Sequence, residues 1–240
     1  MKKEWAELIS DPIAFNENTQ RVFEHDKLPL VKDELSVTLR LKLKSHTSDW
    51  ATICHKGTKW YFRTPGLWLT ANKSALHARF TGNWTNNAGI DELGDGLLLD
   101  KWYHLTYTLS DSEKRLDIYI DSEWVGFFSM QNVKTQSVAF NIGPLYIGCA
   151  FDKGFNGVIS NVRYFNWRLC AQEVKEDFFN KVIVYGSKVA LVHVSTDKYL
   201  STNGVKYDLG PENKQYMVVG NKRELDLKND IWTVIGPYGK

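Results

Sequence analysis

The sequence predicts an all-β protein built from antiparallel strands. Between Leu97 and Met130, apolar and polar residues alternate with a two-residue period, which gives a sheet one greasy and one wet face. The same segments are rich in aromatic and β-branched residues and poor in turn formers. Short polar turns recur between them, as a sandwich of many short strands requires.

Taken in chain order, residues 1–30 leave an edge strand or an arm open. Trp5, Leu8 and Ile9 suggest a short amphipathic helix, and Ile13 and Phe15 suggest the start of a strand. The segment Asn83–Asp95 reads as a long polar loop. Trp102–Leu109 reads as a strand, Ser110–Arg115 as a polar connector, and Leu116, Ile118 and Ile120 as the greasy face of the next strand. Asp117, Tyr119 and Asp121 fall on its wet face. Asp121-Ser-Glu123 turns the chain into Trp124–Phe128. Ala171–Phe179 reads as a short helix whose buried stripe is Val174, Phe178 and Phe179. Glu173 lies three residues after Cys170, the spacing of a capping box, but with a thiol where a hydroxyl usually stands.

The chain changes character near residue 180. Val189, Leu191 and the Val192–Val194 segment form a strand, Ser195–Lys198 a turn, and Tyr199-Leu200 opens the next strand.

Bulk properties exclude some functions. In 240 residues, 43% are hydrophobic and 24% charged, an ordinary balance for a soluble protein of one or two domains. A net charge of +2 argues against a nucleic-acid or membrane field. No stretch approaches the roughly 20 apolar residues that span a bilayer. Nine Trp, eleven Tyr and twelve Phe are most simply the filling of a β core. Met1-Lys-Lys-Glu-Trp-Ala-Glu has no apolar run behind it, and Cys54, Cys149 and Cys170 form no spaced pair; both point to a reduced, cytoplasmic setting. The acceptor triplets Asn72-Lys-Ser74 and Asn83-Trp-Thr85 carry little meaning in that setting.

Trp102-Tyr-His104, the polar connector and Tyr119-Ile-Asp121 together resemble laminin G-like modules of the concanavalin A-like jelly-roll superfamily. Two further matches keep the family order. Upstream are Ile53-Cys-His-Lys-Gly57 and Thr64-Pro-Gly-Leu-Trp-Leu69. Downstream are Leu145-Tyr-Ile-Gly148, Phe155-Asn-Gly157, Ile159–Arg163, Trp167-Arg-Leu169 and Gln172-Glu-Val174. The resemblance covers most of residues 30–180 and implies a jelly-roll β-sandwich over residues 1–180.

A second resemblance covers residues 183–236. Leu191, His193, Thr196, Tyr199 and Leu200, then Gln215–Val219, then Trp232-Thr-Val234 resemble the MIR motif, one unit of a β-trefoil. The whole chain therefore reads as an antiparallel jelly-roll β-sandwich followed by a partial, MIR-type β-trefoil over residues 183–240. A trefoil closes only when three units share one core, and a lone unit exposes edges and a hydrophobic face. The pattern does not recur after Leu200, so the unit leans on the sandwich, is completed by copies from other chains, or belongs to a natural protein that continues past Lys240, the last being the favoured expectation.

Some jelly-roll relatives hydrolyse glycans with two carboxylates about 5–5.5 Å apart. Asp117, Asp121 and Glu123 offer alternating acids, but Asp121 and Glu123 fall in the turn and the glutamate-aspartate-glutamate signature is absent. Catalysis is therefore not expected. For metal, Asn83–Asp95 is the segment richest in oxygen ligands, with Asp91 and Asp95 as candidates for calcium, weighed against an ordinary polar loop. No other cofactor is implied. The six histidines, His25, His46, His55, His77, His104 and His193, show no metal-ligand spacing. No phosphate loop or Cys–His nucleophile is present.

Sugars are held by an aromatic face with amide and carboxylate hydrogen bonds around it. Trp84 with Asn83, Asn86 and Asn87 supplies those groups, and Trp68 adds a second face if it points outward rather than into the core. The expectation is a non-enzymatic binding protein for a glycan or protein ligand. The alternatives are an adaptor subunit of a larger assembly or oligomer, and a divergent glycoside hydrolase. No nucleic-acid partner and no membrane span are expected.

Overall fold

A computed structural model describes residues 2–179, 188–193, 198–208, 214–220 and 231–233. The chain divides into two compact units, Met1–Asn180 and Lys181–Lys240.

The first unit runs β1 (Trp5–Ile9), β2 (Ile13–Phe15), β3 (Gln20–Phe23), β4 (Glu34–Leu43), β5 (Ala51–Lys56), β6 (Gly66–Leu69), β7 (Leu76–Phe80), β8 (Ala88–Leu93), β9 (Trp102–Ser110), β10 (Arg115–Ile120), β11 (Glu123–Ser129), β12 (Leu145–Gly148), β13 (Gly157–Phe165) and α1 (Ala171–Phe179). One sheet has the order β1-β13-β4-β9-β10-β11, with β2 also on β13; the other is β3-β12-β5-β6-β7-β8. Every ladder is antiparallel, as expected for a jelly-roll sandwich.

The core forms because alternate residues of each strand turn to the facing sheet. Leu35, Val37, Leu39, Leu41 and Leu43 of β4 bury together with Tyr103, Leu105, Tyr107 and Leu109 of β9 and Leu116 and Ile118 of β10. From the other sheet come Ile53, Cys54, Leu67, Leu69, Leu76, Ala78, Phe80, Leu145 and Ile147. Each full aliphatic burial contributes about 1.5–3 kcal/mol, so the greasy face assigned to Leu116 and Ile118 is strongly determined. The Tyr107 hydroxyl crosses the core and donates to the Arg79 carbonyl at 3.0 Å.

The turns follow local chemistry. Asp121 and Ser122 are the two residues of the β10–β11 turn, and both have positive φ, 51° and 68°. Such turns match the right-handed twist of the strands they join, and Asp tolerates that backbone region well. Ser110 pairs with Arg115 across the expected polar connector.

Three expectations change. Trp5–Ile9 is a strand, not a helix: it adds to the edge of β13, and Trp5 stacks on Phe165 with centroids 6.1 Å apart. Five residues make little more than one helical turn, whereas an edge ladder satisfies their backbone groups at once. Secondly, the wet face of β10 is dry, because the segment after β13 folds over it. Tyr119 packs with Phe165, Leu169 and Val174, and Asp117 is wholly buried. Thirdly, only part of the expected helix stripe is covered. Val174 is buried and Phe178 packs on His104, but Phe179 is exposed.

Polar groups fasten this cover. Asp117 accepts from Arg115 Nε, Arg168 Nη2 and Trp124 Nε1 at 2.8 Å each. Burial alone would raise its carboxyl pKa, but the hydrogen bonds outweigh burial and hold it below the usual carboxylate range. Asp177 of α1 meets His104 Nε2 at 3.0 Å and accepts from Arg163 Nη1 at 2.7 Å. At the helix start the Cys170 N–H donates to Glu173 Oε2 at 2.9 Å, the backward half of a capping box.

In the second unit, β14 (Lys188–Ala190) pairs with β18 (Ile231–Thr233), and β15 (Val192–His193), β16 (Lys198–Asp208) and β17 (Lys214–Gly220) form a three-stranded antiparallel sheet. Thr196, Val234 and most of the turn expected at Ser195–Lys198 lie outside the described residues. Among the described residues, no helix is long and apolar enough to cross a membrane.

Candidate ligand-binding cleft

The alternation of β6 decides where this cleft forms. Leu67 and Leu69 enter the core, so Trp68 between them turns to the outer face of the six-stranded sheet. Register then gathers the outer residues. Trp68 lies opposite Thr52 and His77, and Gly66 lies opposite His55 and Arg79. A Cβ on Gly66 would meet the Trp68 ring at 2.5 Å, so the missing side chain lets the indole lie flat over the strand.

Loops raise walls around this floor. The cavity is about 880 Å³ and is lined by Trp50, Trp60, Trp68, Phe151, Arg63, His77, Arg79, Asn86, Asn87, Asp49, Asp91, Asp152 and Lys153. Its size is at the upper end for ligand pockets. A second cavity of about 350 Å³ shares Asp49, Trp50 and Lys153 with it.

The aromatic groups differ in exposure. Trp68 is nearly buried, while Trp60 is 60% and Trp50 42% exposed. Trp50 meets His77 edge-on at 4.5 Å. The Arg63 guanidinium lies between two indoles, 5.5 Å from Trp60 and 5.3 Å from Trp68, and donates from Nη1 to Asn87 Oδ1 at 3.2 Å.

A polar chain braces the floor. Arg79 donates from Nε to His77 Nε2 at 2.9 Å and from Nη1 to the Asn87 carbonyl at 3.2 Å, and it forms an ion pair with Asp91. His77 Nδ1 lies 2.6 Å from the Asp91 carbonyl, which can only accept. Nδ1 therefore carries the proton and Nε2 accepts, so His77 is neutral. Burial, reinforced by Arg79 and Arg63, lowers its pKa. Behind it, burial pushes His55 down to about 4, with the Arg63 charge in the same direction.

A family model of the laminin G type, described as the concanavalin A-like lectin/glucanases superfamily, matches residues 16–175. The chain belongs to that superfamily. Among solved structures, a mutant of HCR/D aligns with a TM-score of 0.55 at 10% identity, covering 94% of this chain and 59% of that one. A botulinum neurotoxin type C structure, from work on its interaction with two ganglioside molecules, aligns with a TM-score of 0.49 at 11% identity, covering 93% and 58%. A Trypanosoma rangeli sialidase aligns with a TM-score of 0.46 at 16% identity, covering 61% of this chain and 22% of the sialidase. The chain thus spans about a fifth of that sialidase and under two thirds of the other two. At 10% identity the likeness to the HCR/D mutant is one of fold alone. A search of curated proteins finds no match to the sequence.

Within this concanavalin A-like sandwich, the residues singled out from sequence divide. Trp68, Asn86, Asn87 and Asp91 line the cleft. Trp84 and Asn83 are not among its lining residues. The Trp84 ring packs edge-on against Phe80 at 6.0 Å and over Gly82, where an added Cβ would meet it at 2.3 Å. Asn83 ties two loops together, donating to the Thr135 carbonyl at 2.8 Å and accepting from the Ser137 N–H at 3.0 Å. The long polar loop is shorter than expected, because Ala88–Leu93 pairs with β7 as an edge strand.

Asp91 and Asp95, the two acids proposed for calcium, are not part of a gathered cluster of acids among the described residues. The Asp91 carboxylate is committed to Arg79, and Asp95 is exposed beyond the end of β8. Calcium wants six to eight oxygens, and among the described residues no group of three or more His, Cys, Asp or Glu gathers to hold a metal. The acids considered for hydrolysis lie on the other sheet. Asp117 is neutralised by two arginines, and Asp121 Oδ1 accepts the His104 N–H at 2.7 Å.

Sequence reasoning missed Trp50, Trp60, Arg63, His77, Arg79 and Phe151. Two signals pointed to four of them, Trp60, Arg63, His77 and Arg79. Trp60-Tyr-Phe-Arg63 puts aromatics into a connection, and His77 and Arg79 alternate with the core residues Leu76, Ala78 and Phe80.

Proposed function

We propose that the sandwich is a non-enzymatic carbohydrate-recognition module whose ligand sits on the outer face of the six-stranded sheet. The observation that carries this reading is the gathering of three indoles, two asparagines and charged side chains around one cavity of about 880 Å³. Exposed Trp60 and Trp50 offer apolar faces for sugar rings, and Asn86 and Asn87 offer amides for hydroxyls. Of the acids considered for hydrolysis, Asp117 is paired with two arginines and Asp121 accepts the His104 N–H, which supports binding over hydrolysis.

A glycan array tests the reading. Trp60→Ala and Trp50→Ala are expected to abolish binding with folding intact, whereas Trp84→Ala retains it. Binding unchanged in both cleft variants rejects the site.

We further infer that the second unit belongs to a MIR-type trefoil. In support, three residues of the motif are joined by hydrogen bonds: the Leu200 N–H donates to the Leu191 carbonyl at 2.7 Å, and Trp232 Nε1 to the Leu200 carbonyl at 2.8 Å. Trp232 also lies opposite Val189 in the β14–β18 ladder. A crystal structure of the full natural protein showing no threefold arrangement around Trp232 rejects this reading.

A further inference from the structure

We propose that the cleft selects acidic glycans, seating a carboxylate or sulfate group on Arg63. The proposal rests on the carbohydrate-binding reading above and names the ligand class for the same site.

The cations of the cleft are not equivalent. Arg79 is matched by Asp91 and its guanidinium is largely buried. Lys153 is held by Glu17 at 3.0 Å. Arg63 has no ion-pair partner within 4.0 Å among the described residues. Asp152 lies near enough for its charge to be felt, but it does not bond to the guanidinium, and the neighbouring Arg79 charge acts in the opposite sense. Asp49, the remaining acid of the lining, accepts the Trp50 N–H at 2.7 Å.

Arg63 is also partly shielded from solvent. Two indoles flank its guanidinium, and its Nε is buried without an acceptor. Only Nη1 has a protein acceptor, Asn87 Oδ1; Nη2 has none among the described residues. A guanidinium cannot shed its proton to escape this situation. A half-buried cation with no bonded counter-ion is only partly compensated by solvent, and an incoming anion completes that compensation. Charge-assisted hydrogen bonds to guanidinium are stronger than those between neutral groups. A neutral sugar can stack on Trp60 but leaves the Arg63 charge uncompensated.

Calorimetric titration of the whole chain with matched ligands tests this. One pair is sialyllactose against lactose, for a carboxylate; the other is sulfated lactose against lactose, for a sulfate. One acidic member is expected to bind at least about tenfold tighter than lactose, and which one does so identifies the anion. The preference shrinks as salt rises. Arg63→Gln is expected to weaken the acidic member at least about tenfold more than it weakens lactose, so that the preference disappears, and Arg63→Lys keeps part of it, since charge remains without the planar fork. Should Arg63→Gln melt early, Arg63→Lys and the salt series still decide. Equal binding of acidic and neutral members, or a preference that persists in Arg63→Gln, overturns this inference and leaves the carbohydrate reading standing. Failure of every glycan to bind overturns both.

Discussion

His77 and Arg79 stand two residues apart on one strand, and the arginine Nε donates to the histidine Nε2 at 2.9 Å. A strand places such residues on the same face, so the pair is a direct product of the two-residue period. The contact survives only while His77 is neutral, because a protonated imidazole has no acceptor nitrogen. His77 is therefore expected to hold the Nδ1–H tautomer at neutral pH and to titrate below 6.5. Nitrogen-15 NMR of the ring reads both; an Nε2–H tautomer, or titration above 6.5, contradicts the arrangement.

His55 makes stability depend on pH. Burial holds its folded pKa near 4, against 6.5 for an ordinary histidine. Below pH 6.5 the unfolded chain takes up a proton that the folded chain refuses, so stability falls as pH drops from 6.5 towards 4. Between pH 7 and 5.5 the loss amounts to about 1 kcal/mol. Urea unfolding of His55→Gln is expected to show a flatter profile over that range. Parallel profiles for the two proteins argue against it.

Asp117 is a buried carboxylate held by two arginines. Its side chain is 1% exposed and is paired with Arg115 and Arg168. Removing one partner of a buried pair leaves the other charge uncompensated, typically a loss of about 3–5 kcal/mol. Asp117→Asn is expected to fall in that range, and Asp95→Asn, at an exposed site, to change stability by less than about 0.5 kcal/mol. Equal effects in chemical denaturation would show that burial of the pair is irrelevant.

Cys170 occupies the position before α1, and its thiol is exposed. A thiol is a weak acceptor, whereas a serine hydroxyl there can accept from the first-turn N–H groups. Cys170→Ser is expected to hold stability or raise it by about 0.5–1 kcal/mol. A clear drop in melting temperature rejects the capping argument.

The alternation in Leu116, Ile118 and Ile120, the turn at Asp121-Ser122 and the capping pattern at Cys170 and Glu173 are local, and each was legible in the chain itself. Short-range backbone chemistry determines them wherever the strands end up. Trp68 was legible only as a tryptophan facing either way. Its direction followed from Leu67 and Leu69 being drawn into the core, which requires a partner sheet.

What only the tertiary structure decided is which outer faces are covered and which are open. Asp117 and Tyr119 show the polar alternation of a solvated face, yet residues 163–178 close over them and turn that face into a second interior. The outer face of the other sheet instead carries a cleft, with Trp68, His77 and Arg79 as its floor and four connections as its walls. The physical reason is register. Strand pairing between residues far apart in sequence sets which side chains become neighbours, and a one-residue slip would send Trp68 and His77 inward. By itself, then, the sequence determined the all-β class, the strands and turns between Trp102 and Phe128 and the greasy face of Leu116 and Ile118, while β1 and β8 became strands only through their long-range partners; the meeting of Trp50, Trp60, Arg63 and Trp68 around one cavity came from how the strands pair.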